Sequence, residues 1–422
     1  MRKINSMLLV LAAVCFLASS CEKEGKDTSG INTPIADYLY GVEYDDYDLQ
    51  ANLEHSNNKL LPSYPACTEV RKGNFVGRNL DWYINNDATA IIKMNHTDDH
   101  YASIGVTGCF PEFSNAMAKS GEFNDAYKYL PFKTVDGINE KGLYIGVNVA
   151  PTGETSFDPE TWEPYAFGHG ANHTNPSSDM HYCVNYLVRI VLDRASSVED
   201  AKKLIDSIDW CEAVNFPAEG YSQALHWLIC DSKQSVVLDF VDNKAVYTEA
   251  PSNTEPSLGN IMTNFTNCLY AKGLIQICAC GLERWDIINA NYASTPETFE
   301  GMQNLMSKVW YSQAYTIDPS SHDFWFTEWY DLGYSSAFMY KNYDLCESEE
   351  FCGPVRNYLK VFDDPANWHS DDSPLWYTTH TSIYNLENKT LRVLLHEGRD
   401  EQKTYYEASL KKSKFGKPLA DR

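Results

Sequence analysis

The stretch Ala66-Cys67-Thr68-Glu69-Val70-Arg71-Lys72-Gly73-Asn74-Phe75-Val76-Gly77-Arg78-Asn79-Leu80-Asp81-Trp82 holds a thiol, a guanidinium and a carboxylate within one short reversal of the chain. Two β-forming runs flank Lys72-Gly73-Asn74, so the spacing predicts a hairpin that carries Arg78 and Asp81 back towards Cys67. A guanidinium beside a thiol favours the thiolate, which is the nucleophilic form. Asp81 could hold an ammonium or orient a base. On these residues alone, a buried structural cysteine with a surface ion pair is the simpler account.

Composition narrows the classes. The chain has 422 residues, 43% of them hydrophobic and 13% aromatic, enough for a large core. Acidic residues outnumber basic ones 58 to 34, and a formal charge of −24 argues against a nucleic-acid surface. Residues 1–20 read as a secretory signal: Arg2 and Lys3, the apolar run Met7 to Leu17, then Ala18, Ser19 and Ser20. The apolar run is too short for a permanent bilayer span. Small residues directly before Cys21 resemble the bacterial lipoprotein signal, which implies lipidation of Cys21 and a place at the cell envelope, periplasmic or on the outer-membrane surface.

Residues 22–34 are charged and turn-rich, suited to a tether. Residues 35–66 carry Ile35, Tyr38, Leu39, Tyr40, Val42 and Tyr44, which could pack on something, and Pro62 and Pro65 keep the chain extended before Cys67. The expected organisation is therefore signal peptide 1–20, lipid-anchored tether and propeptide 21–66, and one domain from 67 to 422. The propeptide would cover the site until the Ala66–Cys67 bond is broken, after which the catalytic part either stays packed on its anchored fragment or is released. The remaining cysteines match no zinc spacing; Cys278 and Cys280 lack a second ligand pair, and Cys346 and Cys352 are the best local disulfide candidates.

Strand signals run through Ala90 to Ile92, Ser103 to Val106, Val135 to Ile138 and Leu143 to Val149, with Asn139-Glu140-Lys141-Gly142 as a hairpin turn. Asn139 reads as a turn residue; Asn148, an amide late in an apolar strand, can face a pocket. Residues 152–178 are a polar loop long enough for a lid, and its histidines His169 and His173, with His181 beyond it, have no ligand spacing for a metal. A helix is expected from Ser178-Asp179, a second opened by a capping box at Ser196-Ser197-Val198-Glu199, and a third after Thr295-Pro296. Between them lie strands near 225–230, 236–240 and 245–248, in which His226 reads as a core histidine. A late hairpin spans 378–397. Helices and half-buried antiparallel strands without a βαβ rhythm indicate an α+β layered domain.

Cys67-Thr68 with Gly77-Arg78-Asn79-Leu80-Asp81-Trp82, then Asp136-Gly137-Ile138-Asn139-Glu140-Lys141-Gly142-Leu143 through Val147-Asn148-Val149-Ala150-Pro151, resembles the choloylglycine hydrolases. These linear amide C–N hydrolases include bile salt hydrolases and penicillin V acylases. The likeness covers roughly 67–291 and 378–397 and implies the four-layer αββα N-terminal-nucleophile fold. It also implies a small-molecule N-acyl amide substrate and no cofactor. Carried over residue by residue, it makes Cys67 the nucleophile once Ala66 is cleaved off, and Arg78 a support for the thiolate. Asp81 would bind the freed amine, Asn264 and the backbone N–H of Asn148 would bind the oxyanion, and Arg284 would stabilise charge nearby. The hairpin is shorter than in typical bile salt hydrolases, and the long segment before Cys67 looks more like the acid ceramidase branch. Two other classes remain open at this point: a non-catalytic ligand-binding surface lipoprotein and an acyltransferase. Self-association into a homo-oligomer is also open.

Overall fold

The computed structural model describes residues 30–36, 38–45, 47–48, 67–83, 88–108, 113–120, 125–150, 156–157, 171, 173–211, 224–273, 275–276, 281–310, 376–396, 404–411 and 415. The signal region, Cys21, Ala66, His169, the cysteine pairs 278/280 and 346/352 and most of the expected lid lie outside them. In chain order the strands are β1 (Gly30–Ala36), β2 (Leu39–Tyr44), β3 (Cys67–Lys72), β4 (Phe75–Tyr83), β5 (Thr89–Met94), β6 (Ser103–Thr107), β7 (Thr134–Asn139), β8 (Tyr144–Ala150), β9 (Ser156–Phe157) and β10 (His181–Cys183). They continue with β11 (Asp209–Cys211), β12 (Ala224–Cys230), β13 (Ser235–Val241), β14 (Lys244–Glu249), β15 (Ile261–Met262), β16 (Ile275–Gln276), β17 (Trp376–Asn385), β18 (Thr390–Leu395) and β19 (Tyr406–Ser409). The α-helices are α1 (Asn115–Ser120), α2 (Asp125–Tyr129), α3 (Leu187–Arg194), α4 (Val198–Ser207), α5 (Asn267–Ala271), α6 (Leu282–Tyr292) and α7 (Phe299–Met306).

Two large sheets dominate. One has nine strands in the order β1-β2-β5-β6-β7-β8-β12-β13-β14, the other six in the order β15-β3-β4-β17-β18-β19. Within these two sheets every pairing is antiparallel except β2 with β5. This is an α+β chain. Ile104, Ile138, Leu228 and Val237 of the larger sheet share one apolar cluster with Val76, Met262, Tyr384 and Val393 of the smaller. Outward from the larger sheet, Leu187, Ile190 and Val191 of α3 and Val198, Ala201 and Ile205 of α4 extend its core. Outward from the smaller one, Val70, Ile261 and Ile383 meet Ile288 and Tyr292 of α6 and Met302, Leu305 and Met306 of α7.

The expected hairpins form. Lys72 pairs with Phe75, leaving Gly73 and Asn74 as a two-residue turn, and Gly73 takes the positive φ (57°) that a glycine at this position supplies without a Cβ penalty. Asn139 does more than turn the chain: its amide nitrogen donates to Leu192 O and Ala195 O at the end of α3, while its oxygen accepts from Lys141 N and Leu143 N. Residues 178–183 are not helical. His181 to Cys183 instead pair in parallel with Asp209 to Cys211, and the α-helix starts only at Leu187. The second helix is capped by Ser197, which accepts from Asp200 N, one residue later than the capping box suggested. Helix α6, where Arg284 sits, carries no amphipathic pattern strong enough to be anticipated from sequence.

Two strands upstream of Cys67, β1 and β2, are built into the larger sheet. Strand β2 is buried along nearly its whole length and pairs residue for residue with β5, from Leu39 with Thr89 to Tyr44 with Met94. The Tyr40 hydroxyl donates to Asn115 Oδ1 (2.7 Å) and that of Tyr44 to Tyr127 O (2.5 Å), while Glu43 accepts from Lys93 Nζ at 2.7 Å. A loose covering flap would leave stability untouched when Tyr44 is truncated. Since Tyr44 is core, we expect Tyr44→Ala to lower the unfolding free energy by about 3–5 kcal/mol in urea melts, the cost typical of large aromatic truncations.

Candidate active site

The smaller sheet supplies the nucleophile candidate and the larger sheet faces it. Cys67 opens β3 opposite Leu80, and two residues on, Glu69 stands opposite Arg78. Side chains two apart on a strand share a face, so Cys67 and Glu69 point the same way, and Arg78 with them. The guanidinium, fully buried, donates through Nη2 to Cys67 Sγ at 3.3 Å and to Val147 O at 2.8 Å. It is flanked by Glu69 (Nε to Oε1, 3.7 Å) and Asp136 (Nη1 to Oδ2, 3.4 Å). These are contacts of charge, since neither nitrogen makes a hydrogen bond there. Burial alone would lower the pKa of Arg78, but Cys67, Asp136 and Glu69 outweigh it and hold the group firmly charged.

A second arginine works from the helix side. Arg284 of α6 donates through Nη1 to Cys67 O (2.9 Å), Thr68 Oγ1 (2.8 Å) and Asp81 Oδ2 (2.9 Å), and through Nη2 to Asn264 Oδ1 (2.7 Å). The same Asn264 oxygen accepts from the backbone nitrogen of Cys67 at 2.7 Å, and the Asn264 amide nitrogen donates to Val149 O at 2.7 Å. Thr378 on β17 donates to the other Asp81 oxygen at 2.6 Å. Asp81 is thus held between Arg284 and Thr378, both close to the start of β3. Pairing of β7 with β8 ends at Gly146, so Val147 O and Val149 O can be taken by Arg78 and Asn264. Asn148 lies buried between them and, with its amide nitrogen turned to the acceptors around it, donates to Val147 O and Glu69 Oε1, both at 2.9 Å.

The structure therefore brings Cys67, Arg78, Asp81, Asn148, Asn264 and Arg284 into one buried cluster. Ala66 is outside the described residues. Three members were not anticipated: Glu69, Asp136 and Tyr144, whose hydroxyl donates to Glu69 Oε2 at 3.1 Å. The two-residue spacing from Cys67 was the available signal for Glu69. One expectation is corrected. The Cys67 thiol is not poised as a thiolate, because burial pushes its pKa up to about 11; Arg78 pulls it down and Asp81 pushes it up further. Burial outweighs the guanidinium, so a base is needed at the moment of attack.

Two histidines border this cluster: His226 stands opposite Asn148 across the β8–β12 pair, and burial together with the Arg78 charge holds the pKa of His380 on β17 well down. His226 is fully buried and has Asp239 Oδ1 3.5 Å from its Nδ1 across the β12–β13 pair. His173 and His181 both approach Asp209 Oδ2, at 2.8 and 2.9 Å. Among the described residues no helix is long and apolar enough to cross a membrane.

Comparison with known proteins gives the cluster a context. Residues 66–256 match the model of the linear amide C–N hydrolases, choloylglycine hydrolase family. A bile salt hydrolase/transferase from Lactiplantibacillus plantarum is 26% identical over 187 residues, 42% of this chain and 47% of the relative; the match spans about half of that protein's length. Among solved structures, a variant of conjugated bile acid hydrolase from Clostridium perfringens superposes with a TM-score of 0.41 at 14% identity, covering 83% of this chain and 94% of that one. Penicillin V acylase from Agrobacterium tumefaciens gives 0.39 at 12% identity, covering 81% and 90%. From the residue before Cys67 to the loop after β14, the chain is similar to the choloylglycine hydrolase family of linear amide C–N hydrolases.

Proposed function

We propose that this protein is an exported cysteine amidase that hydrolyses the linear carbon–nitrogen bond of a small N-acyl amide, with Cys67 as an N-terminal nucleophile. One observation carries the reading. The backbone nitrogen and the sulfur of Cys67 are each held by a separate partner, Asn264 Oδ1 at 2.7 Å and Arg78 Nη2 at 3.3 Å, at the first strand of the matched segment. That arrangement suits a residue whose sulfur and amine both react. The finer fold we assign is the four-layer αββα arrangement of N-terminal-nucleophile hydrolases, supported by helices α3 and α4 packing outside one sheet and α6 and α7 outside the other.

Breaking the Ala66–Cys67 bond would free an α-amine, which titrates near 7.7–8.0. Near neutral pH a substantial fraction is then neutral and able to accept the proton of a thiol that burial keeps protonated. As that proton passes to the amine, Sγ attacks the amide carbon and the carbonyl oxygen takes the negative charge. A side-chain amide carries two N–H groups; one of Asn264's points at Val149 O, and we assign the oxyanion to this amide, since the backbone N–H of Asn148, antiparallel to the Val147 carbonyl that Arg78 takes, points towards β12. Collapse of the adduct breaks the C–N bond, the ammonium returns its proton to the leaving nitrogen, and a thioester remains. Water, deprotonated by the same amine, then attacks the thioester; the C–S bond breaks and the thiol recovers its proton. Asp81, steadied by Arg284 and Thr378, would hold the amine in line.

The acyl group we propose is apolar, as in a conjugated bile salt, a fatty acid amide or a penicillin V type amide. The deciding experiment is a hydrolysis panel over those three classes with wild type and Cys67→Ala: at least one class is turned over by the wild type and none by the variant. Hydrolysis surviving Cys67→Ala would end the proposal. Asn264→Ala should lower kcat by about 10²–10³-fold with little change in KM, the usual cost of one oxyanion donor. An unchanged kcat removes Asn264 from the mechanism.

For location we propose an envelope lipoprotein anchored through Cys21 and cut at Ala66–Cys67. Because β2 is an inner strand of the larger sheet, the fragment 21–66 should stay bound after the cut and keep the catalytic part attached to its anchor. Native mass spectrometry is expected to find both pieces together and denaturing mass spectrometry a chain beginning at Cys67.

A further inference from the structure

Glu69 is a fully buried carboxylate that the chemistry above does not use. It sits on the nucleophile's strand, two residues beyond Cys67, and reaches across to the facing sheet. There its Oε2 accepts from the Tyr144 hydroxyl at 3.1 Å, Arg78 Nε lies 3.7 Å from Oε1, and the Asn148 amide, with its nitrogen turned towards this carboxyl group, lies 2.9 Å from Oε1. Glycine at 146 leaves the space for it; a Cβ there would collide with both carboxylate oxygens and with the Tyr144 hydroxyl. The contacts join the two sheets at the level where the β8 carbonyls on either side of Asn148, Val147 O and Val149 O, hold Arg78 and Asn264 beside Cys67.

We infer that Glu69 is a positioning residue for the Cys67 chemistry: it fixes Asn148 on the larger sheet against Cys67 on the smaller and, through its charge, sets how much of the Arg78 guanidinium is available to the sulfur. This rests on Cys67 being the nucleophile. The ionisable groups coupled to Glu69 are Arg78 on β4, Asp136 on β7, Tyr144 on β8, Cys230 on β12 and Tyr384 on β17, and Cys67 lies two residues away on the same face of its own strand. Asp136 is itself held by Ser382 Oγ (2.7 Å) and the Tyr384 hydroxyl (2.6 Å), so a partner carboxylate for Arg78 is already fixed without Glu69.

The sign of the effect follows from burial. Desolvation pushes the Glu69 carboxyl up to about 8, with Arg78 and Tyr144 opposing and Asp136 adding to the rise. Below that pH Glu69 is a neutral acid, and Arg78 faces Asp136 and the sulfur. Above it a second negative charge engages the guanidinium, and forming a thiolate nearby becomes harder.

The test compares wild type with Glu69→Gln, which preserves volume and acceptor while removing the ionisation. The rate of Cys67 carbamidomethylation by iodoacetamide, read by peptide mass, and the pH profile of kcat are measured for both. The ratio of variant to wild-type rate, in both measurements, is expected to rise several-fold between about pH 6.5 and pH 9.5, as the charge on Glu69 appears only in the wild type. A ratio that stays flat across that range overturns the inference. Glu69→Ala, which also removes the strut to Asn148, is expected to lose at least tenfold in kcat with KM changed much less; a folded Glu69→Ala variant with kcat near wild type overturns it equally. Should Glu69→Ala fail to fold, the Glu69→Gln comparison decides alone. Alkylation reads Cys67 directly and needs no substrate, so failure of the amidase reading, seen as hydrolysis persisting in Cys67→Ala, is separable from failure of the role of Glu69.

Discussion

A guanidinium with no exposure to water lies between the two sheets, and the surrounding groups answer to it. Removing an arginine charge from solvent costs several kcal/mol unless the interior returns charge and hydrogen bonds. Here Arg78 receives a carbonyl at Val147, a sulfur at Cys67 and two flanking carboxylates. Those partners come from β3, β7 and β8, so satisfying one side chain fixes the relative placement of strands from both sheets. The cost of the arrangement is borne in the same place: a thiol pushed up to about 11 and a carboxyl up to about 8.

Arg284 has the complementary task. It binds the carbonyl of Cys67, the hydroxyl of Thr68, the carboxylate of Asp81 and the amide oxygen of Asn264. One planar group therefore ties a helix to the start of β3 and to the loop after β15. With Arg78 on the sulfur, Asn264 on the backbone nitrogen and Arg284 on the carbonyl oxygen, Cys67 is held at its side chain and on both sides of its backbone. In the role proposed for Cys67, nucleophile and base in one residue, that double constraint would matter, since the proton would move between two of its own atoms.

The segment upstream of Cys67 belongs to the same logic. Strand β2 covers what would otherwise be the open edge of β5 and buries Leu39, Tyr40, Val42 and Tyr44. Backbone groups of a fully buried strand must find partners, and here β2 provides them. Cutting the chain before Cys67 leaves those hydrogen bonds intact.

Much of this was legible in the chain itself. The Lys-Gly-Asn turn dictated the β3–β4 hairpin, the Asn-Glu-Lys-Gly turn dictated β7–β8, and the motifs around Cys67, Asn148, Asn264 and Arg284 named residues that do converge. Local rules sufficed because turns and alternation depend on neighbouring residues only. The partnership of Glu69, Asp136 and Tyr144 with Arg78 could not be read, because those residues lie far apart in sequence and meet only when two sheets face each other. The same holds for β2, whose apolar residues announced burial without saying where. The state of the Cys67 thiol was also a tertiary outcome: an adjacent arginine argued for a thiolate, and the depth of burial, which no local pattern encodes, reversed the balance.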